Sequence, residues 1–167
     1  ITLPGAGVAC FACSEANMDY MTKLIGIQAI SFDKMNQLRH AKYLQSKEHT
    51  LALMKEHARI LKPKFDMVVS TLEREIAPLG IATWHKPKGG YFVSVNTTPG
   101  LAKRTLALAK EAGVVMTSAG ATYPYGHDPA DSNIRVAPSL PPVEELEQAM
   151  AVFCCCLKLA ALEKSRK

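Results

Sequence analysis

The longest regular pattern of apolar residues runs through residues 47–79 and predicts one long helix. Apolar side chains recur there at alternating spacings of three and four, which places them on one helix face. The stripe comprises Leu51, Met54, Ala58, Leu61, Phe65, Val68, Leu72, Ile76 and Leu79. Pro63 lies inside this pattern and is expected to kink the helix, whereas Gly80 is a natural end. Such a helix is a candidate spine between two domains.

After this helix, the pattern alternates between short strands and helices. Strands are predicted at 81–85, 91–95, 114–116 and 134–137, and helices at 101–112 and from Pro141 to near the end of the chain. Together with the long helix, this order predicts an α+β domain over residues 47–167, in which helices pack on a small, mostly antiparallel sheet. A long polar loop at 120–131 precedes the last strand, and loops of this length are often functional.

Residues 1–46 follow a different pattern and are assigned to another domain. A glycine-bearing turn leads into an apolar segment, residues 8–12, that we predict to be a buried strand. Two helices follow, with Ser14 and Asp33 as candidate N-caps. Because the first residues are apolar and resemble the middle of a fold, we expect a fragment of a longer protein. Residues 8–12 would then lack strand partners, and we expect this part of the chain to self-associate or to be partly disordered.

Composition restricts the class of protein without indicating an activity. An apolar content of 48% and a charged content of 21% are ordinary for a soluble globular protein. No apolar run is long enough to span a bilayer, so no membrane partner is expected. The net charge of +5 is scattered among acidic residues, so nucleic-acid binding is not expected without a fused DNA-binding domain. The five clustered cysteines form a poor disulfide framework and suit a cytoplasmic protein.

The patterns that might indicate metal or nucleophile chemistry are weak. Cys154, Cys155 and Cys156 are consecutive, and neighbouring side chains on a helix point about 100° apart, so the three cannot share one ion. The loop residues His127, Asp128 and Asp131 do not have the spacing of a known cation site. We therefore predict no metal site.

Arg135 is the strongest candidate for a functional residue. It lies inside the short apolar strand at 134–137, where a charged side chain is costly unless it meets an anion. The planar guanidinium suits a carboxylate held through two parallel hydrogen bonds. Two interpretations remain open from the residues alone, namely the carboxylate of a small substrate and an internal Asp or Glu.

A series of short motifs is arranged in a familiar order. They are Pro87-Lys88-Gly89-Gly90-Tyr91-Phe92, Ala109-Lys110-Glu111-Ala112-Gly113-Val114, Ser118-Ala119-Gly120 and Asn133-Ile134-Arg135-Val136, followed by a final amphipathic helix. Their order resembles the C-terminal part of fold-type I aminotransferases, which are pyridoxal-phosphate enzymes. The opening segment, residues 1–9, resembles the stretch just after their Schiff-base lysine. The resemblance covers essentially the whole chain and is greatest to the MocR-type, alanine–glyoxylate aminotransferase-like subgroup.

This resemblance implies a fold and a set of functional residues. Residues 1–46 would be a remnant of the large cofactor-binding domain, and residues 47–167 the small domain. Arg135 would bind the α-carboxylate of an amino acid whose amino group is transferred to a 2-oxo acid. The Schiff-base lysine would immediately precede Ile1, so the chain alone is expected to be inactive. The whole protein is expected to be a cytoplasmic homodimer.

One departure from the family pattern concerns the cofactor phosphate. Many relatives carry an arginine for it shortly after the lysine, whereas this chain has Gly5-Ala6-Gly7-Val8. We predict that backbone amides around Gly5 and Gly7 contact the phosphate of pyridoxal 5'-phosphate instead.

Other functions of the same scaffold stay open alongside the aminotransferase. An aminotransferase-like domain can sense an effector in a MocR-type transcriptional regulator, and the same fold hosts lyases and decarboxylases. A domain without any small-molecule site is a further alternative, which an Arg135 paired with an internal carboxylate would favour.

Overall fold

The computed structural model describes residues 6–166 and contains two compact units, Ile1–Ala58 and Arg59–Lys167. The division falls within the long helix that the sequence predicts from residue 47. Each unit has its own set of elements. No helix in the described part of the chain has the length and apolarity needed to cross a membrane.

The first unit is helical. Helix α1 covers Glu15–Gln28, α2 covers Lys34–Leu44, and the third helix, α3, covers Lys47–Glu75 and begins in this unit. The predicted helices are confirmed. Asp33 caps α2, since its side chain accepts a hydrogen bond from the Asn36 backbone N–H at 2.9 Å.

The strand predicted at residues 8–12 is wrong. Residues 6–14 form no strand, and the side chain of Val8 is 53% exposed. A strand needs a hydrogen-bonded partner, and the other elements described in this unit are all helices. None of its described residues is buried, so its apolar stripes have no core of their own.

The second unit begins with the C-terminal half of α3, which continues through Pro63. Val68, Leu72 and Ile76 are completely buried, so this part of the predicted apolar stripe is confirmed. The chain then forms a 3-10 turn at Ala77–Leu79. This turn ends at Gly80, whose φ of +63° lies in the left-handed region that glycine adopts readily.

Three antiparallel strands form the sheet of this unit. Strand β1 covers Ala82–Trp84, β2 covers Val93–Thr97 and β3 covers Asn133–Val136, in the spatial order β1-β2-β3. The register places Val95 opposite Ile134 and Ser94 opposite Arg135. Since successive side chains of a strand alternate between faces, one face is apolar and buried and the other carries the polar residues.

Two helices complete the unit, α4 at Ala102–Glu111 and α5 at Val143–Ser165. The core combines the apolar face of the sheet with buried side chains of α3 and α5. Its largest completely or almost completely buried side chains include Leu72, Ile76, Val93, Val95, Ile134, Met150, Phe153 and Leu157. The predicted α+β class, with helices and a small antiparallel sheet, is confirmed.

The strand predicted at residues 114–116 is wrong. The Val114 N–H bonds back to the Ala109 carbonyl at 2.8 Å, and the segment then runs without pairing to the sheet. Val115 is 80% exposed, which is why an apolar pattern alone misleads at this position.

Candidate functional site

Arg135 occupies the polar face of the sheet in the second unit. Its neighbours Ile134 and Val136 in β3 are buried in the core, so their alternation places the arginine on the opposite face. Ser94 of β2 lies directly across from it. Arg135 itself is partly buried, so the position is the mostly buried strand arginine that the sequence indicates.

No internal carboxylate pairs with Arg135 among the described residues. The salt bridges of this part of the chain join other side chains, such as Arg104 with Glu163 and Lys158 with Glu75. The Arg135 Nε atom is buried and has no hydrogen-bond partner. An unsatisfied buried donor of this kind costs about 1–3 kcal/mol, more when it is charged. The Arg135 Nε–H group therefore lacks a hydrogen-bond acceptor within the described structure.

An aromatic ring covers the guanidinium group. The Arg135 Cζ atom lies 4.3 Å from the centroid of the Phe92 ring, which is within the range of a cation–π contact. This contact occupies one flat face of the guanidinium. Hydrogen-bond acceptors must approach in the plane of the group, where its N–H bonds point.

The polar side chains beside Arg135 are satisfied by one another. The Asn133 side-chain amide donates to the Ser94 hydroxyl at 3.0 Å and to the Asn96 side-chain carbonyl at 2.7 Å. The Asn133 side-chain carbonyl accepts from the Thr122 hydroxyl at 2.7 Å. This network joins β2, β3 and the preceding loop. The buried Arg135 Nε takes no part in this network.

Asp128 organises the loop that leads into β3. Its carboxylate accepts backbone N–H groups from Ala130 at 2.9 Å, Ser132 at 2.7 Å and Asn133 at 2.8 Å. These bonds, first of all those from Asn133 and Ser132, hold the pKa of the Asp128 carboxyl below its usual range. The chain thus enters β3 in a defined conformation two residues before Arg135.

A cleft of about 810 Å³ includes Arg135 in its lining. Its walls come from residues 112–117, from the end of β3 with the segment that follows it, and from α5. Most of the exposed lining is apolar, and Glu145 contributes a carboxylate that forms no ion pair with Arg135. A cleft of this volume can hold a small molecule.

The candidate phosphate-binding residue Gly7 belongs to the first unit and Arg135 to the second. Gly5 is outside the described residues. Gly7 is exposed, and a Cβ added to it would meet no atom within 4 Å. The Gly7 carbonyl accepts a bond from the Asn36 side chain at 3.2 Å. The described surroundings of Gly7 thus form no cradle for pyridoxal phosphate, and its contact with the phosphate stays a prediction.

The remaining candidate groups have structural surroundings. Cys154 and Cys156 are buried in α5, and burial raises the pKa of the Cys154 thiol to about 11. In the loop, the Asp131 carboxylate accepts the Lys103 backbone N–H at 3.0 Å. Within residues 6–166 we find no group of three or more side chains able to hold a metal ion.

Sequence reasoning missed Phe92 and Asp128 as parts of the site. Phe92 lies in the strand predicted at 91–95, two residues after Gly90, and only the pairing of that strand with β3 places it near Arg135. Asp128 had a local signal, since an aspartate that precedes a proline in a loop commonly bonds to backbone N–H groups shortly after it.

Comparison with known proteins relates the whole chain to aminotransferases. A family model described as aspartate amino-transferase matches residues 1–167. The chain is 48% identical, over 163 residues, to the aspartate aminotransferase of Corynebacterium glutamicum. The match covers 98% of this chain and 38% of that relative, so the chain spans well under half of the relative's length.

Solved structures share the arrangement of helices and sheet. An aspartate transaminase of Corynebacterium glutamicum matches with a TM-score of 0.81 at 47% identity. The match covers 90% of this chain and 36% of the transaminase chain. The alpha-aminoadipate aminotransferase of Thermus thermophilus, complexed with N-(5'-phosphopyridoxyl)-L-leucine, matches with a TM-score of 0.69 at 18% identity. That match covers 89% of this chain and 37% of the other, and at this identity it shows the fold alone.

Proposed function

The chain belongs to the aspartate amino-transferase family, and from this premise we propose that it is the C-terminal part of a pyridoxal-phosphate-dependent aminotransferase. The whole protein would transfer an amino group between an amino acid and a 2-oxo acid. The order of motifs from Pro87 to Arg135 supports this assignment. The match to 38% of the length of a full relative also supports it.

Arg135 is proposed to bind the α-carboxylate of the amino acid. The observation that carries this role is a buried Nε without an acceptor, on an arginine that has no carboxylate partner among the described residues and lines a cleft. A substrate carboxylate would supply the missing acceptor through a charge-assisted bond. Holding the carboxylate in two bonds also orients the rest of the amino acid.

Aspartate is the first substrate to test, because the relative at 48% identity is an aspartate aminotransferase. Pyridoxal phosphate, when bound, would supply the electron sink that amino-group transfer requires. The 167 residues alone are proposed to be inactive, because the resemblance places the Schiff-base lysine outside them. The whole protein is proposed to be a cytoplasmic homodimer.

The test uses the whole protein that contains this chain. Its absorption spectrum is recorded with pyridoxal phosphate, and amino acids are then added one at a time with a 2-oxo acid acceptor. We expect a band of bound cofactor that changes with aspartate, and formation of the new amino acid. A band that forms without any turnover would instead favour an effector-sensing, MocR-type regulator. The absence of a band would contradict the proposed cofactor.

Arg135→Met tests the proposed role of the arginine in the same assay. Loss of a charge-assisted pair worth about 1.5–3 kcal/mol should raise the KM for the amino acid roughly 10- to 150-fold. Arg104→Met is the matched control, since Arg104 pairs with Glu163 at the surface of the same unit. An Arg135→Met enzyme with the kinetics of the wild type would refute the carboxylate role.

A further inference from the structure

Phe92 and Arg135 form a diagonal pair on one face of the sheet. Ser94 lies opposite Arg135 in the register, and Phe92 precedes Ser94 by two residues, on the same side of the chain if the extended conformation continues. Diagonal neighbours of this kind are within reach of an aromatic ring and a long side chain. The distance of 4.3 Å from Cζ to the ring centroid agrees with this arrangement.

The Phe92 ring is not part of the hydrophobic core. It is 43% exposed and lies outside the set of residues that form or pack against the core. The guanidinium of Arg135 lies over this ring. A half-exposed phenylalanine thus contributes less through burial than a core residue would.

The stacked ring restricts the orientation of the guanidinium. An arginine side chain on a surface can rotate among many conformations, and ordering it costs free energy when a ligand binds. A ring stacked on one flat face limits the orientations of the guanidinium plane. Less free energy is then needed to order the side chain when the ligand binds. The in-plane N–H groups, including the unpartnered Nε, then stay available to an acceptor.

We propose that Phe92 is a positioning residue that holds the guanidinium plane of Arg135 for in-plane binding of a carboxylate. The proposal rests on the carboxylate-binding role proposed for Arg135. It predicts that an aromatic ring is needed at residue 92. An aliphatic side chain of similar volume can fill the space but cannot make the cation–π contact.

The test follows succinate binding to the 167-residue chain labelled with ¹⁵N-arginine. The Nε–H signal of Arg135, assigned by its absence in Arg135→Met, reports both the ring contact and the ligand. We expect Phe92→Leu to move this signal in the free protein and to raise the Kd for succinate about 3- to 10-fold, as expected for loss of a cation–π contact. Phe92→Tyr, which keeps the ring, should stay within about twofold of the wild type.

Two controls separate positioning from a general loss of structure. Tyr125→Leu removes a fully exposed aromatic side chain of the same unit and should leave succinate binding unchanged. The fluorescence of Trp84, which packs against the core, checks that each variant is folded. If Phe92→Leu does not fold, Phe92→Tyr and Phe92→Trp still decide the matter. Weak binding by both folded aromatic variants would refute the proposal.

The outcomes also separate this inference from the function on which it rests. If succinate does not bind to the wild type, or binds to Arg135→Met as tightly as to the wild type, the proposed carboxylate site is wrong. Phe92 would then have no positioning role. If Arg135→Met abolishes binding while Phe92→Leu binds like the wild type, the carboxylate site stands and the positioning role is wrong.

Discussion

Replacing Gly120 with alanine should destabilise the second unit more than any other substitution of a loop glycine in it. Gly120 has a φ of +80°, in the left-handed region that side chains with a Cβ rarely adopt. An added Cβ would lie 2.9 Å from the Gly126 carbonyl carbon and closer still to its oxygen. It would also lie 3.3 Å from the Asp128 backbone nitrogen, so the neighbours are backbone atoms that cannot rotate away.

The magnitude follows from two separate costs. The left-handed conformation alone costs an alanine about 1–2 kcal/mol. Overlap with packed atoms adds typically about 1–3 kcal/mol, because backbone must shift to relieve it. Gly113 provides the matched control, since its φ is +90° and an added Cβ would meet no atom within 4 Å. Gly113→Ala should therefore show the first cost without the second.

The assay is urea unfolding followed by the fluorescence of Trp84, the only tryptophan of the chain. With a slope of about 1–3 kcal/mol per molar urea, the overlap should lower the midpoint of Gly120→Ala by on the order of 1 M below that of Gly113→Ala. Equal midpoints for the two variants would refute the reasoning, because the left-handed conformation would then account for the whole effect. The close approach of residues 120 and 126 would carry no cost.

Three further predictions concern the core, pH dependence and cysteine reactivity. Phe153→Ala, at a fully buried site, should lower the free energy of unfolding by about 3–5 kcal/mol, whereas Leu162→Ala at an exposed site should change it by about 0.5 kcal/mol or less in urea unfolding. The lowered pKa of Asp128 means that its stabilising effect is present above the unfolded-state pKa and is lost as the pH falls through the folded-state pKa. Asp128→Asn should thus lower the urea midpoint near neutral pH and flatten its fall below about pH 4, and an unchanged acid limb would contradict this. Because burial raises the pKa of the Cys154 thiol to about 11, iodoacetamide at neutral pH should modify Cys154 far more slowly than the exposed Cys155, as measured by tandem mass spectrometry.

The helices could be predicted because their signals are local. An aspartate cap at Asp33 and an apolar spacing of three and four need only neighbouring residues to be recognised. A glycine at Gly80 or Gly113 ends a helical segment through its own left-handed backbone. The exposure of Leu51 and Met54 could not be predicted, since a helix face is buried only where another element packs on it.

The two wrong strands share one physical cause. Residues 8–12 and 114–116 both have apolar patterns that suit a strand, but neither has a hydrogen-bonded partner in the described structure. A strand exists only as a member of a sheet, and its partner can lie anywhere in the sequence. The pattern therefore predicts which residues can form a strand, not whether they do.

Like the strands, the candidate site depends on contacts between residues that are distant in the sequence. The sequence left open whether Arg135 pairs with an internal carboxylate, because that choice depends on which acids the fold brings within reach. The contact with Phe92 depends on the register in which Ser94 lies opposite Arg135. A slip by one residue would turn every side chain of one strand to the other face and would move Phe92 away from the guanidinium. The register is set by the buried alternation of Val93 and Val95, so the apolar core determines where the arginine can bind a carboxylate.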